Sequence, residues 1–315
     1  MATHHLKPSV DTCHWGYFDA RQAPVLRVAS GDTVTIDTVT GNPDVLPDRS
    51  KFFVPPELDA IMAALPPVGP HILTGPVYVE GARPGNVLEV RIHDVSVLQD
   101  WGFNVILPLL GTLPHDYDTP RLVNIPIDIE RNVGIMPWGL ELELAPFFGV
   151  MGVAPPPAFG RIASKEPRIH GGNLDNKELT QGSTLYLPVF VPGANFSAGD
   201  GHGVQGDGEV CVTALECCLT GTFTFILHKA EAGTPLLAMP RAETPTHFIS
   251  MGLHEDLDQA MKGALREMIA FIVARTNLSR EQAYAFCSLA VDFHVTQTVN
   301  GEKGVHGLLK KGLLF

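Results

Sequence analysis

Between residues 197 and 210 the chain reads Ser197-Ala198-Gly199-Asp200-Gly201-His202-Gly203-Val204-Gln205-Gly206-Asp207-Gly208-Glu209-Val210. Glycine at nearly every second position weakens both helix and strand. A chain accepts that where backbone must bend tightly or approach another group closely. The residues between the glycines are metal-ligand and acid–base types. Asp200 and His202 flank a single glycine, so extended backbone aims both side chains to one side. A carboxylate oxygen and an imidazole nitrogen converging this way form half a site for zinc or a similar divalent ion. The competing reading is a solvated Gly/Asp turn. Strand-like apolar runs, Tyr186–Val191 before the stretch and Val210–Leu219 after it, give the site reading equal weight, because loops between buried strands hold functional groups on a rigid frame.

A second cluster of the same kind is His170-Gly171-Gly172-Asn173-Leu174-Asp175. Alone it reads as a Gly-Gly turn capped by Asn and Asp. The strand candidate Leu179–Val191 leads from it to the Asp200 stretch, and short connections set successive elements side by side. The two clusters can therefore face one pocket. His71 at a strand entry and Asp37 at a strand end are further candidate ligands, each with a plain structural alternative. Gly149 and Gly152, in the apolar run Phe147–Ala154, are candidates for backbone lining that pocket.

The elements that must position these groups are mostly strands. Val25–Val28 and Thr33–Val39 read as two strands around a Gly31-Asp32 turn, with Val34 and Ile36 on one face. His71–Val79 and Val87–Leu98 read as a second ribbon around Ala82-Arg83-Pro84-Gly85. Residues 41–70 are proline-rich, with a helical turn over Glu57–Ala64. Val123–Ile129 and Pro146–Val153 are short apolar pieces in a loop-rich middle. Near residue 245 the pattern changes. Leu257, Met261, Ala264, Leu265, Met268 and Ile272 recur at helical spacing within Leu253–Arg275. Ser279 and Gln282 form a capping box for a helix over Arg280–Ala290, and Val291–Val299 reads as a strand. The expected fold is α+β and predominantly β. A β-sandwich or barrel-like body over 1–240 carries the site, and a helix–helix–strand lobe over 241–315 packs on it.

The 315 residues are 45% hydrophobic and 18% charged, ample for a sizeable core. The formal net charge of −12 argues against nucleic acid and anionic membrane as partners. Five cysteines, two of them adjacent and none in a CxxC pair, suit buried thiols in a reducing compartment. With no leader-like segment and no long apolar run, the expected location is the cytoplasm.

Several separated stretches resemble the acetamidase/formamidase family. They are Leu73–Ala82, Gly149–Pro155, His170–Asp175, Leu185–Gly193, Gly199–His202 with Gln205–Val210, Asp256–Ala260 and Ala283–Val299. The resemblance implies a β-rich fold with an α+β part, a homo-oligomer, and hydrolysis of short amides to carboxylate and ammonia. The chain shows no Gly-x-Ser-x-Gly elbow, and Cys211, Cys217 and Cys218 lie in an apolar run unsuited to a reactive thiol. Metal-activated water meets the chemical need. In that expectation Asp200 and His202 are ligands, with His170 and Asp37 or His71 completing the set. Glu209 is general base and then acid. Asn173 and the backbone of Gly171-Gly172 bind the amide carbonyl, Gln205 contacts substrate, and Asp175 and Asp207 orient histidines or ligate. Zinc is the expected ion and calcium the competitor. A larger or cyclic amide, or a non-catalytic metal-binding β protein, are the rival readings.

Overall fold

The computed structural model describes residues 1–230 and 237–314. Two sheets pack face to face. The larger has nine strands in the order Thr3–Leu6, Thr33–Asp37, Leu219–His228, Val87–Val97, Thr184–Pro188, Arg241–Glu243, His247–His254, Lys303–Lys310 and Val291–Gln297. Only the first pair is parallel. The second sheet runs Gly171–Asn173, Phe147–Gly152, Phe196–His202, Ile72–Val79, Cys13–Trp15, with Leu26–Val28 parallel beside Ile72–Val79. Phe148 and Phe196 from this sheet meet Phe223 and Phe225 from the larger one, with ring centroids 5.1 to 6.0 Å apart. Such interdigitation of inner faces is how aligned sheets exclude water. Among the described residues the sheets stay open, and no barrel closes.

Alternation accounts for the outer strands. Val34 and Ile36 are fully buried, while Thr33 and Thr35 pair across the face with Thr224 and Thr222 at 2.8 and 3.0 Å. Phe147–Gly152 and Phe196–His202 are buried at every position. A strand covered on both faces carries no alternation to read.

Both expected ribbons are corrected. Leu26–Val28 and Thr33–Asp37 lie in different sheets, as do Ile72–Val79 and Val87–Val97. The turns between them pass the chain from one layer to the other, since both members of each pair have a core face to bury. The run Val210–Leu219 is not a strand: only Leu219 enters one, and Cys211, Cys217 and Cys218 precede it.

The C-terminal part follows its periodicity. Helix Leu257–Val273 starts at Asp256, whose side chain accepts from Gln259 N at 2.9 Å. Helix Arg280–Ala290 carries the Ser279–Gln282 capping box in both directions. Strands flanking residue 240 are hydrogen-bonded, Thr184–Pro188 to Arg241–Glu243, so one sheet runs through body and lobe. Among the described residues no helix is long and apolar enough to cross a membrane.

Candidate active site

Strand Phe196–His202 ends at the site because its neighbours approach too closely for side chains. A Cβ on Gly199 would lie 2.3 Å from the Ile72 carbonyl, and one on Gly201 2.3 Å from the Cys217 carbonyl. Between these glycines stands Asp200, at φ +57°, which turns its carboxylate toward His202. Opposite lies Gly149, on strand Phe147–Gly152. A Cβ there would sit 2.5 Å from Asp200 Oδ2, 2.6 Å from Asp175 Oδ1 and 2.7 Å from His202 Cε1. The bare backbone of Gly149 is thus the floor of the cluster. Asp175 and Glu209 also hold positive φ, +46° and +43°, so three carboxylates hang from left-handed backbone.

His202 is the centre. It is completely buried and edge-on to Phe147 at 5.1 Å. Its Nε2 lies 3.3 Å from both Asp200 Oδ2 and Glu216 Oε1 and 3.9 Å from Glu209 Oε1, and its Nδ1 is 3.9 Å from Asp175 Oδ1. Four buried carboxylates surround one imidazole. Nδ1 donates to Gln205 Oε1 at 2.9 Å, and Gln205 Nε2 donates to the Asp175 carbonyl at 2.8 Å, which sets the amide's orientation. Nε2 is then turned toward the carboxylates. His71 borders them, its Nε2 3.7 Å from Asp200 Oδ2 and its Nδ1 3.0 Å from Ser164 Oγ. Asn300 donates to Asp175 Oδ2.

The electrostatics show how much negative charge is packed here. Burial pushes the Asp175 and Glu216 carboxyls up to about 7, and burial and the Asp175 charge also raise Glu209 well above its ordinary value. Burial opposes charge on Asp200 too, yet His71 and His202 hold it below the usual carboxylate range. Burial likewise opposes a charged His202, and Glu216 and Asp200 outweigh it, raising the imidazole well above normal. Asp175 Oδ1, Glu209 Oε2 and His202 Nε2 have no hydrogen-bond partner. Orphaned acceptors of this kind are costly unless a cation completes them. Asp175, Asp200 and His202 offer donor atoms within 4.8 Å of one another, as do His202, Glu209 and Glu216. The residues fit a divalent cation, and the Nδ1-held, Nε2-free imidazole is the usual form of a metal-ligating histidine.

A cavity of about 750 Å³ opens onto the cluster. His71, Asn173, Asp200, Glu209, Glu216 and Asn300 give it polar lining, and Phe103, Val105, Leu107, Leu110 and Leu122 give it apolar lining.

The structure thus brings Asp200, His202, Asp175, Glu209 and Gln205 together, with His71 and Asn173 at the border. It places the other expected residues elsewhere. Asp37 accepts from Thr220 Oγ1 at 2.7 Å and meets His5 Nε2 at 2.8 Å, on the outer face of its strand. His170 is buried edge-on to Phe18 at 4.9 Å, away from the carboxylates. Gly171 and Gly172 pair with Gly152 and Met151, and Gly171 N donates to the Arg168 carbonyl, so this backbone serves the sheet. Asp207 meets His294, not His202. Burial raises the thiols of Cys217 and Cys218, the latter to about 12, which makes both inert.

Glu216 and Asn300 escaped the sequence reading. A signal for Glu216 existed: it is the one acid in the apolar run 210–219. Its backbone is bridged to both Phe103 and His202, and Oε1 accepts from Ala214 N at 2.9 Å. Asn300 lies in a loop with no local pattern.

His170 has a separate consequence. Burial lowers its pKa to about 3, and burial lowers that of His14 to about 4. An unfolded chain binds protons at both near pH 6.5, whereas the fold does not. Their neutral forms therefore contribute fully above about pH 6.5, and that contribution is lost as pH falls toward 4. The melting temperature should decline between pH 7 and 5, and His170→Gln should make that decline shallower. A slope unchanged in the variant would show that His170 is protonated in the fold.

These features define a class: a predominantly β, α+β protein of several sheets with a buried carboxylate–imidazole nest at a strand end, shaped for a cation. The acetamidase/formamidase family matches residues 22–166 and 161–305, and the chain belongs to that family. A formamidase of Methylophilus methylotrophus is 32% identical over 191 residues, covering 44% of this chain and 47% of that one. An acetamidase of Mycolicibacterium smegmatis is 30% identical over 198 residues, covering 44% and 49%. The alignments span about half the length of these curated relatives. The crystal structure of an acetamidase from Bacillus halodurans superposes with a TM-score of 0.83 at 33% identity, over 97% of each chain.

Proposed function

We propose that this chain hydrolyses amides to carboxylate and ammonia at a site that takes a divalent cation, zinc ahead of calcium, as a cytoplasmic homo-oligomer. The observation that carries the reading is the His202 nest: four buried carboxylates facing one imidazole at the end of a cavity, in a chain of this family.

Asp200, Glu216 and His202 Nε2 would hold the ion, with Asp175 beside them. When bound, a divalent cation supplies Lewis acidity, which brings the pKa of water to about 7 and polarises a carbonyl. Gln205 keeps the His202 proton on Nδ1. Glu209 lines the cavity with Oε2 unpartnered, and beside the charge of a bound cation its carboxylate form would be favoured, able to take a proton from attacking water. As the C–O bond forms and the C–N bond breaks, the same carboxyl returns that proton to the departing nitrogen. Asn173 refines the expectation. Its Nδ2 donates to the Lys165 carbonyl at 3.2 Å and its Oδ1 is bare, so the free atom is an acceptor. It suits the N–H of the substrate amide better than the carbonyl. Leu109, Leu113, Tyr117 and Val210 expose apolar surface beside the cavity, which supports self-association.

The cavity favours a second reading of the substrate. About 750 Å³ lies in the range of clefts that take drug-sized ligands, ~300–1,000 Å³, far above what acetamide fills. Ammonia release should be followed from formamide, acetamide, propionamide and benzamide, with protein as purified, after chelation and after zinc add-back. Loss on chelation and recovery with zinc supports the proposal, and the ranking chooses between small and larger amides. Full activity after complete metal removal would overturn the cation, and no release from any of the four by zinc-loaded protein would favour the binding-protein reading.

A further inference from the structure

We propose that Asp207, His294 and His306 form a second divalent-cation site, of the zinc class, which ties the Gly206–Glu209 loop to the C-terminal hairpin. The hairpin is made by strands Val291–Gln297 and Lys303–Lys310, where His294 and His306 stand directly opposite each other. Directly opposed residues project from the same face of a sheet. The two rings lie nearly parallel, at 13°, with centroids 5.3 Å apart. Asp207 joins them from the loop, its Oδ2 3.0 Å from His294 Nδ1. The three residues offer donor atoms within 4.8 Å of one another. Donors bound to one tetrahedral zinc at ~2.1 Å sit about 3.4 Å apart, so small side-chain rotations close the set.

His306 supplies the independent sign of a missing partner. It is completely buried, its Nδ1 lies 2.7 Å from Thr296 Oγ1, and its Nε2 has no hydrogen-bond partner. A buried imidazole with one nitrogen held by a neighbour and the other bare matches the second-partner arrangement of metal-ligating histidines. Leaving that nitrogen bare is unfavourable without a ligand. Imidazole and carboxylate donors together suit zinc over calcium or magnesium.

One group competes for the site. Lys177 Nζ lies 3.1 Å from the same Asp207 oxygen, an ammonium standing where an ion would draw that carboxylate. Its side chain is about one-third exposed, so it can swing into solvent. The site is separate from the His202 nest, since neither His294 nor His306 lines the cavity. It is nonetheless joined to it. Gly208 N donates to the Thr296 carbonyl at 3.1 Å, and Thr298 N donates back to the Gly208 carbonyl at 3.1 Å. Thr298 Oγ1 also donates to the Gly208 carbonyl at 3.0 Å. Glu209 follows directly, and an ion on Asp207 would add a further tie just before the residue assigned as base.

The test is equilibrium dialysis of the whole protein against micromolar zinc, with metal counted per chain and melting followed in parallel. Wild type should hold one more zinc than His294→Ala and than Asp207→Asn. Zinc should raise the melting temperature of wild type by several degrees more than that of either variant. Lys177→Met should bind this zinc several-fold more tightly. His294 is about one-third exposed, so its variant should fold, and circular dichroism would check that it does. Equal zinc counts in wild type and both variants would overturn the site, and unchanged affinity in Lys177→Met would overturn the assigned geometry.

Discussion

His202→Ala should lower ammonia release by about 10⁴-fold or more and remove the cation from the His202 nest, because it takes away the one imidazole that all four acids face. Groups that act as one unit lose nearly everything when one member goes. Three carboxylates lie within 3.9 Å of Nε2, so the imidazole, or an ion bound to it, is what allows their charges to coexist. Without it the raised carboxyls Asp175, Glu209 and Glu216 have protons to hold instead of an ion. The variant should therefore fold, since protonation relieves the repulsion, while elemental analysis shows one fewer metal per chain. A folded variant that keeps that metal and more than a tenth of the activity would remove His202 from the chemistry.

Gly149→Ala should be nearly as damaging although it adds one methyl group and replaces no acid–base residue. Its Cβ would intrude to 2.5 Å of Asp200 Oδ2, 2.6 Å of Asp175 Oδ1 and 2.7 Å of His202 Cε1, distances no side chain occupies without something moving. Gly149 is fully buried on a strand paired on both sides, so its backbone has little room to retreat. The acids must spread apart. Overpacking of this kind costs about 1–3 kcal/mol of stability, and a ~1 Å displacement of catalytic groups costs about 10²-fold in rate. The expected result is a melting temperature a few degrees lower, weakened metal binding and at least a 10²-fold loss of ammonia release. Wild-type kinetics in Gly149→Ala would mean that the nest is looser than its distances imply.

Much of this was legible in the sequence, and the gaps have physical causes. Helix Arg280–Ala290 showed itself through Ser279 and Gln282, and helix Leu257–Val273 through its apolar period, because both signals are local. The Asp200–His202 pair was legible because glycines around acids in an apolar setting have few other uses, and Gly149 stood out as a glycine inside an apolar run. Ribbon pairing was not legible. Val79 and Val87 belong to different layers, and a turn that changes sheets uses the same residue types as one that closes a hairpin. Glu216 was hidden because one acid in an apolar run looks the same whether it faces solvent or His202. Asp37 and His170 were drawn in by residue type alone, and only the three-dimensional path separates an outward strand end or a core histidine from a ligand.

The left-handed backbone at Asp175, Asp200 and Glu209 has a bearing on how this protein would change under selection. Glycine, or asparagine, sits more comfortably than aspartate or glutamate in that conformation. Each of these positions therefore offers a route to a more heat-resistant molecule that does nothing. A library screened only for survival on heating should accumulate glycine and asparagine at these three places before it touches the aromatic core. The same substitutions should vanish from a library screened for turnover.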